Sequence, residues 1–259
     1  MPLDICADDD ARSFDNLEDL DEQGADEFAA EWVEYLDDAH DSYRPISFWE
    51  NQKFYVEMLV EKIDLKSLFS PACRSYHVPI ANARGWPDYN TRGRMATRFQ
   101  YWESRGKTPV LLYCGDFDPV GLMISESYRR MFERLARATG WSPDNLIIDR
   151  FGLNAEFIER EGLTWIENLG TSSGGAFDDP SHNQHNYTHV TEYLRQYGAR
   201  KVEANALVTR PDAGRALCRE AIREYINARS ARAYERDLDE ARESVRLEIS
   251  RLMRRRSRS

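Results

Sequence analysis

The sequence predicts an α/β fold: a mostly parallel sheet flanked by helices, then an α/β C-terminal extension ending in a long charged helix. Three observations carry this expectation. Between residues 54 and 152, short apolar runs alternate with segments whose apolar residues recur at helical spacing. Such alternation requires crossover helices and favours parallel strands. One run, "TPVLLYCGD" at 108–116, is apolar almost throughout, the pattern of a buried strand. Near the C-terminus, Tyr234, Leu238, Ala241, Val245, Ile249 and Leu252 form one stripe along 231–253 among charged residues. That stripe is a seam for packing or for dimerisation.

The elements follow in order. Residues 1–28 are polar and acidic and are expected to be largely disordered. A short helix is expected over 27–40, where Phe28, Trp32, Val33 and Leu36 recur at helical spacing. Strands are expected at 54–61, 78–85, 108–116 and 145–152. Helices are expected at 62–76, with a break near Pro71, at 91–106 and at 122–140, the last two stopped by glycine. Beyond 152 the pattern loosens. Residues 170–186 are rich in turn formers and read as a long loop. A helix at 190–199, a strand at 200–207 and a helix at 212–228 precede the terminal helix. Three segments result: an acidic arm at 1–45, an α/β domain at 46–152 and the extension at 153–259.

The 259 residues, 41% hydrophobic and 31% charged, suffice for a sizeable core. No apolar run approaches the roughly 20 residues of a membrane span, and the N-terminus lacks the regions of a signal peptide. The expectation is a cytoplasmic protein without a membrane partner. Cys6, Cys73, Cys114 and Cys218 are scattered and form no CxxC pair, so reduced thiols are expected. The net charge of −10 conceals an asymmetry. Residues 1–50 hold 17 acids and two arginines, which leaves +5 over the rest. Arginine outnumbers lysine 30 to 5, which suits phosphate contacts but equally follows from a GC-rich coding bias. The tail "RLMRRRSRS" fits either a nucleic-acid contact or a solvated end.

The chemistry-bearing stretch is "CGDFDPVG", 114–121. Asp116 and Asp118 follow a buried-type strand. An aspartate before Pro-x-Gly has an ordinary reading as a helix cap. Glu61 gives the pair a second reading, because it ends another predicted strand. If those strands are neighbours, three carboxylates meet at one sheet edge, where ligands of parallel sheets sit. Such acids repel unless a cation joins them. All-oxygen donors suit Mg²⁺, and Mg²⁺ assists phosphoryl transfer.

Three stretches together resemble the Toprim domain, and within it the A subunit of topoisomerase VI and its meiotic double-strand-break relative. They are Val60-Glu61-Lys62, then Gly85-Trp86-Pro87-Asp88 with Thr91-Arg92, then Asp116-Phe117-Asp118-Pro119-Val120-Gly121. The resemblance covers about residues 54–150. It implies a Rossmann-like Toprim sheet, a Mg²⁺ site of Glu61, Asp116 and Asp118, and DNA as partner. Those three residues would be both ligands and catalytic groups; Lys62, Arg84 and Arg92 would then lie near enough to meet a phosphate, the plainer reading of Lys62 and Arg92 being surface ion pairs. It also implies a homodimer. Ala83-Arg84-Gly85 departs from the glycine-lysine-glycine usual in the family. The relatives carry a nucleophilic tyrosine in an upstream winged-helix domain, and the acidic residues before 54 are too few for one. The expected activity is Mg²⁺-dependent DNA phosphodiester cleavage or strand transfer. Its alternatives are a non-catalytic DNA-binding subunit beside a separate winged-helix or ATPase chain, and a phosphotransferase acting on RNA or a nucleotide.

Two further features stand apart. His182, His185 and His189 would share a helical face and suit a transition metal, but their Asn/Asp/Pro/Ser surroundings favour a polar loop. Glu203 and Asn205 are accessory ligand candidates. The plainer reading pairs Glu203 with an arginine and bonds Asn205 to backbone at a strand end.

Overall fold

The computed structural model describes residues 24–83, 89–171 and 175–256. Arg84 and the Gly-Trp-Pro-Asp stretch therefore lie outside the described residues, as do Cys6 and most of the acidic arm. The chain divides into two compact units. One is Ile46–Arg236; the other joins the described residues up to Pro45 to those from Asp237 onward.

The first unit contains a four-stranded parallel sheet, ordered β2-β1-β3-β4. The strands are β1 (Phe54–Val60), β2 (Ile80–Asn82), β3 (Thr108–Cys114) and β4 (Ile147–Gly152). The central pair, β1 and β3, is buried from its second residue onward, as strands covered on both faces must be. Helices α2 (Ile63–Ser75), α3 (Tyr89–Glu103), α4 (Pro119–Leu122) and α5 (Ile124–Thr139) make the crossovers. Alternation along β1 sorts the two faces. Tyr55 and Glu57 reach Phe99 and Arg98 of α3, whereas the Met58 sulfur lies 3.6 Å from Cys73 of α2. Helix α3 packs with α5, and α2 packs with α8 (Pro211–Arg223).

Several expectations change here. Helix α2 is unbroken through Pro71, and both that proline and Ser67, whose carbonyl it cannot serve, are exposed residues. The helix expected over 122–140 is split at Met123 into α4 and α5. The expected glycine stop is present, with Gly140 left-handed at φ 71° as the C-cap of α5. Residues 155–161 form an unexpected helix, α6 (Ala155–Glu161), capped by the Asn154 side chain. The helix at 190–199 is α7 (Thr188–Tyr197).

The strand expected at 200–207 does not form. Lys201 and Val202 make only isolated antiparallel bridges, to Ile166 and Phe117, and Ala204–Thr209 is a 3₁₀ helix. Val202, Ala204 and Ala206 alternate with Glu203 and Asn205 at the strand period, but the segment docks on Phe117 and Asp116 instead of joining the sheet. Helix α8 begins at Pro211, suited to a first helical turn, and ends at Arg223 rather than 228.

In the second unit, α1 (Ala25–Asp38) leaves Phe28, Trp32, Val33 and Leu36 exposed. The terminal helix α9 (Ala228–Arg256) belongs to the first unit up to Arg236 and to the second from Asp237 onward. Along its stripe Tyr234 and Leu238 are buried, Ala241, Val245 and Ile249 are half-buried, and Leu252 is exposed. Cys73, Cys114 and Cys218 are buried free thiols. Among the described residues no helix is long and apolar enough to cross a membrane.

Candidate functional site

Strand register brings the acids together. Val60 pairs with Cys114, and the Glu61 N–H donates to the Cys114 carbonyl at 3.0 Å. Glu61 and Asp116 therefore leave the carboxyl ends of adjacent central strands. The Asp116 backbone N–H donates to Glu61 Oε2 at 2.9 Å, and the Tyr113 hydroxyl donates to the same oxygen at 3.2 Å. Lys62 Nζ lies 3.0 Å from Asp116 Oδ2 and 3.4 Å from Glu61 Oε1, spanning the two carboxylates. Asp118 caps α4, its Oδ1 accepting from the Gly121 N–H at 2.6 Å. Glu61, Tyr113, Asp116, Asp118, Val120, Gly121 and Ile124 line one cleft of about 110 Å³.

The glycines of the stretch have a steric reason. A Cβ on Gly121 would overlap the Asp116 carbonyl, and one on Gly115 would overlap the Tyr113 hydroxyl and Glu61 Oε2. Close approach, not turn chemistry alone, requires both.

Burial sets the electrostatics. It raises the Glu61 carboxyl above its ordinary value, as does the neighbouring Asp116 charge, against the bond from the Asp116 N–H and the attraction of Lys62. Burial also raises Asp118, partly opposed by the Gly121 N–H. Burial pulls the Lys62 ammonium down, but Asp116 and Glu61 outweigh it and leave it raised. Among the described residues Lys62 is the one cation within ion-pair distance of any of the three acids. One ammonium thus serves two carboxylates, Glu61 and Asp116, while Asp118 is held by a backbone N–H and feels the charge of Lys201.

Two supports come from positions with little sequence signal. Arg150, in β4, donates to the Asp116 carbonyl at 2.9 Å and to the Gly121 carbonyl at 2.8 Å, and a third bond reaches the Leu153 carbonyl. It fixes both ends of the aspartate loop. Its one sequence trace is an arginine inside the otherwise strand-like "NLIIDRFG". The second support is the segment around Val202. Phe117 and Val202 exchange backbone bonds at 2.8 and 3.1 Å, and the Ala204 N–H donates to Asp116 Oδ1 at 2.7 Å. No local pattern announces a backbone donor 88 residues away.

The remaining candidates fall elsewhere. Arg92 sits on α3 with its guanidinium 5.9 Å from the Tyr89 ring. His182 and His185 lie in turns: His182 packs edge-on to Phe177, and His185 Nδ1 meets the Phe177 carbonyl at 2.8 Å. His189 belongs to α7, so the three do not share a helical face. Glu203 pairs with Lys201 at 3.8 Å, not with an arginine, and Asn205 is exposed.

Among the described residues no group of three His, Cys, Asp or Glu side chains is disposed to hold a metal ion. The bonding explains it. One oxygen each of Glu61, Asp116 and Asp118 is turned to a backbone N–H, and Lys62 stands between the other oxygens of Glu61 and Asp116. The donor chemistry, hard carboxylate oxygens with a deficit of positive charge, nevertheless suits Mg²⁺. Comparison of the chain with protein-family models, with curated proteins and with solved structures finds no match.

Proposed function

We propose that this chain carries a Toprim-like site for Mg²⁺-dependent DNA phosphodiester cleavage or strand transfer. One observation carries the reading: Glu61, Asp116 and Asp118 share a cleft at the ends of the two central parallel strands, with one lysine among them. Asp116 and Asp118, with Glu61, would hold the ion, which would supply charge for a phosphate and its leaving oxygen. Glu61, whose carboxyl is raised above its ordinary value by burial and by the Asp116 charge, is suited to take up and release a proton. Tyr113 orients it through its hydroxyl. Lys62, partly exposed, is placed to trade its carboxylate bond for a phosphate oxygen. The expected result is that Asp116→Asn abolishes Mg²⁺-dependent nicking of supercoiled plasmid. Undiminished nicking by the variant would sink the proposal.

A second reading has its own support. Lys62 already spans Glu61 and Asp116, so the acids have an internal counter-ion. This favours a non-catalytic DNA-binding subunit that works beside a separate winged-helix or ATPase chain. Purified protein that cuts plasmid alone, in an Asp116-dependent way, would exclude it.

A further inference from the structure

We propose that the concavity between α3 and α5 is a groove for a nucleic-acid phosphodiester backbone, leading to the acidic cleft. The inference rests on reading that cleft as a phosphodiester site. The concavity, about 410 Å³, is lined by Arg92 of α3 and by Ser127, Arg130, Met131 and Arg134 of α5. The α5 residues fall at i, i+3, i+4 and i+7, one continuous stripe. Met131 is buried, while Arg130 and Arg134 are exposed. The arginine forks match phosphate oxygens in charge and geometry. Arg130 pairs with Glu126 at 3.1 Å, but both partners are well exposed, so this pair competes weakly with a phosphate.

Position supports the assignment. Ile124 walls the acidic cleft and Ser127 lines the groove, both on α5. They are one turn apart, about 4.5 Å along the helix. A phosphate chain entering the cleft alone would meet three acids and one lysine. The arginine stripe supplies the opposite field at the adjoining step. Tyr89, three residues before Arg92 on α3, is 58% exposed and lines a neighbouring concavity with Arg94 and Arg98, the Arg92 guanidinium 5.9 Å from its ring. An exposed aromatic beside arginine is a stacking platform for a base.

The test is fluorescence anisotropy on the full chain in EDTA, so cleavage plays no part. Probes are a labelled DNA duplex, a labelled RNA strand and labelled polyglutamate. Arg130→Gln/Arg134→Gln should weaken nucleic-acid binding about tenfold or more. The log–log salt slope on duplex DNA should shrink by about two, near 0.9 for each phosphate that is no longer neutralised. Arg105→Gln, whose guanidinium stacks on Tyr101 outside the groove, should change neither. Weaker binding to DNA, to RNA or to both supports the groove and identifies the source of the backbone. No wild-type binding to either, unchanged affinity and slope in the double variant with unaltered circular dichroism, or an equal weakening on polyglutamate would overturn it. Cleavage that survives Asp116→Asn would remove the catalytic reading and leave this binding result standing.

Discussion

Two carboxylates on one chain segment, Glu57 within β1 and Glu61 just beyond it, meet opposite fates. Glu57 is buried and satisfied: Arg98 grips it with two bonds of 2.6 and 2.8 Å, and the Tyr55 hydroxyl adds a third at 2.8 Å. Glu61 is shielded but shares a single lysine with Asp116, in a cleft that Asp118 also enters. Burial is therefore not what separates a structural acid from a candidate catalytic one. The ratio of acids to fixed cations does so. Glu57 has a guanidinium to itself, whereas Glu61 and Asp116 divide one ammonium and Asp118 has only the more distant charges of Lys201 and Arg150.

The strongest test attacks the closed pair. Arg98→Met leaves Glu57 buried without its cation and should cost about 3–5 kcal/mol, read from urea unfolding. A drop of less than about 1 kcal/mol, the worth of an exposed pair, would mean that Glu57 is not held by this guanidinium. The open cluster should respond differently. Lys62→Met removes charge-assisted bonds and should cost about 1.5–3 kcal/mol without divalent ions. Added Mg²⁺ should restore that stability in the variant more than it stabilises the wild type. If Mg²⁺ leaves the variant's melting temperature unchanged, the acids do not take up the ion.

The smallest effect is on pH. Glu61 and Asp118 are raised above their ordinary values of 4.5 and 3.8. The folded state therefore holds their protons longer than the unfolded chain does. Their contribution to stability is fully present below those ordinary values and is lost as pH rises through the raised ones. Melting temperature measured from about pH 4 to neutrality should thus fall more steeply for wild type than for Glu61→Gln/Asp118→Asn. Each 1 kcal/mol corresponds to about 2–4 °C at this size. Parallel profiles would remove the surplus-charge account of the cleft.

The legible and illegible parts divide by range. Alternation of apolar runs and helical stripes predicted the parallel sheet, because crossover topology follows from local periodicity. Glu61 and Asp116 were legible as strand-end acids for the same reason. Arg150 was not, since its bonds go to backbone carbonyls and those leave no mark in side-chain pattern. The 200–207 segment alternates small apolar with polar residues, and its conformation is decided by what it docks on, here Phe117 and Asp116. Glu57 is not legible as a structural acid, because a charge inside a strand signals only that a partner exists, without naming Arg98.

The clasp at Val202 and Ala204 bears on how this molecule can be divided. A fragment ending at residue 152 would keep all four strands and all three acids. It would lose the N–H that fixes Asp116 Oδ1 and the backbone partner of Phe117. It would also uncover Phe117, which packs on Trp165, Tyr193 and Tyr197. Gene fission or domain transplantation at that joint would carry away an intact set of acids without the scaffold that aims them. The smallest portable part that includes the clasp runs past residue 204, well beyond the last strand.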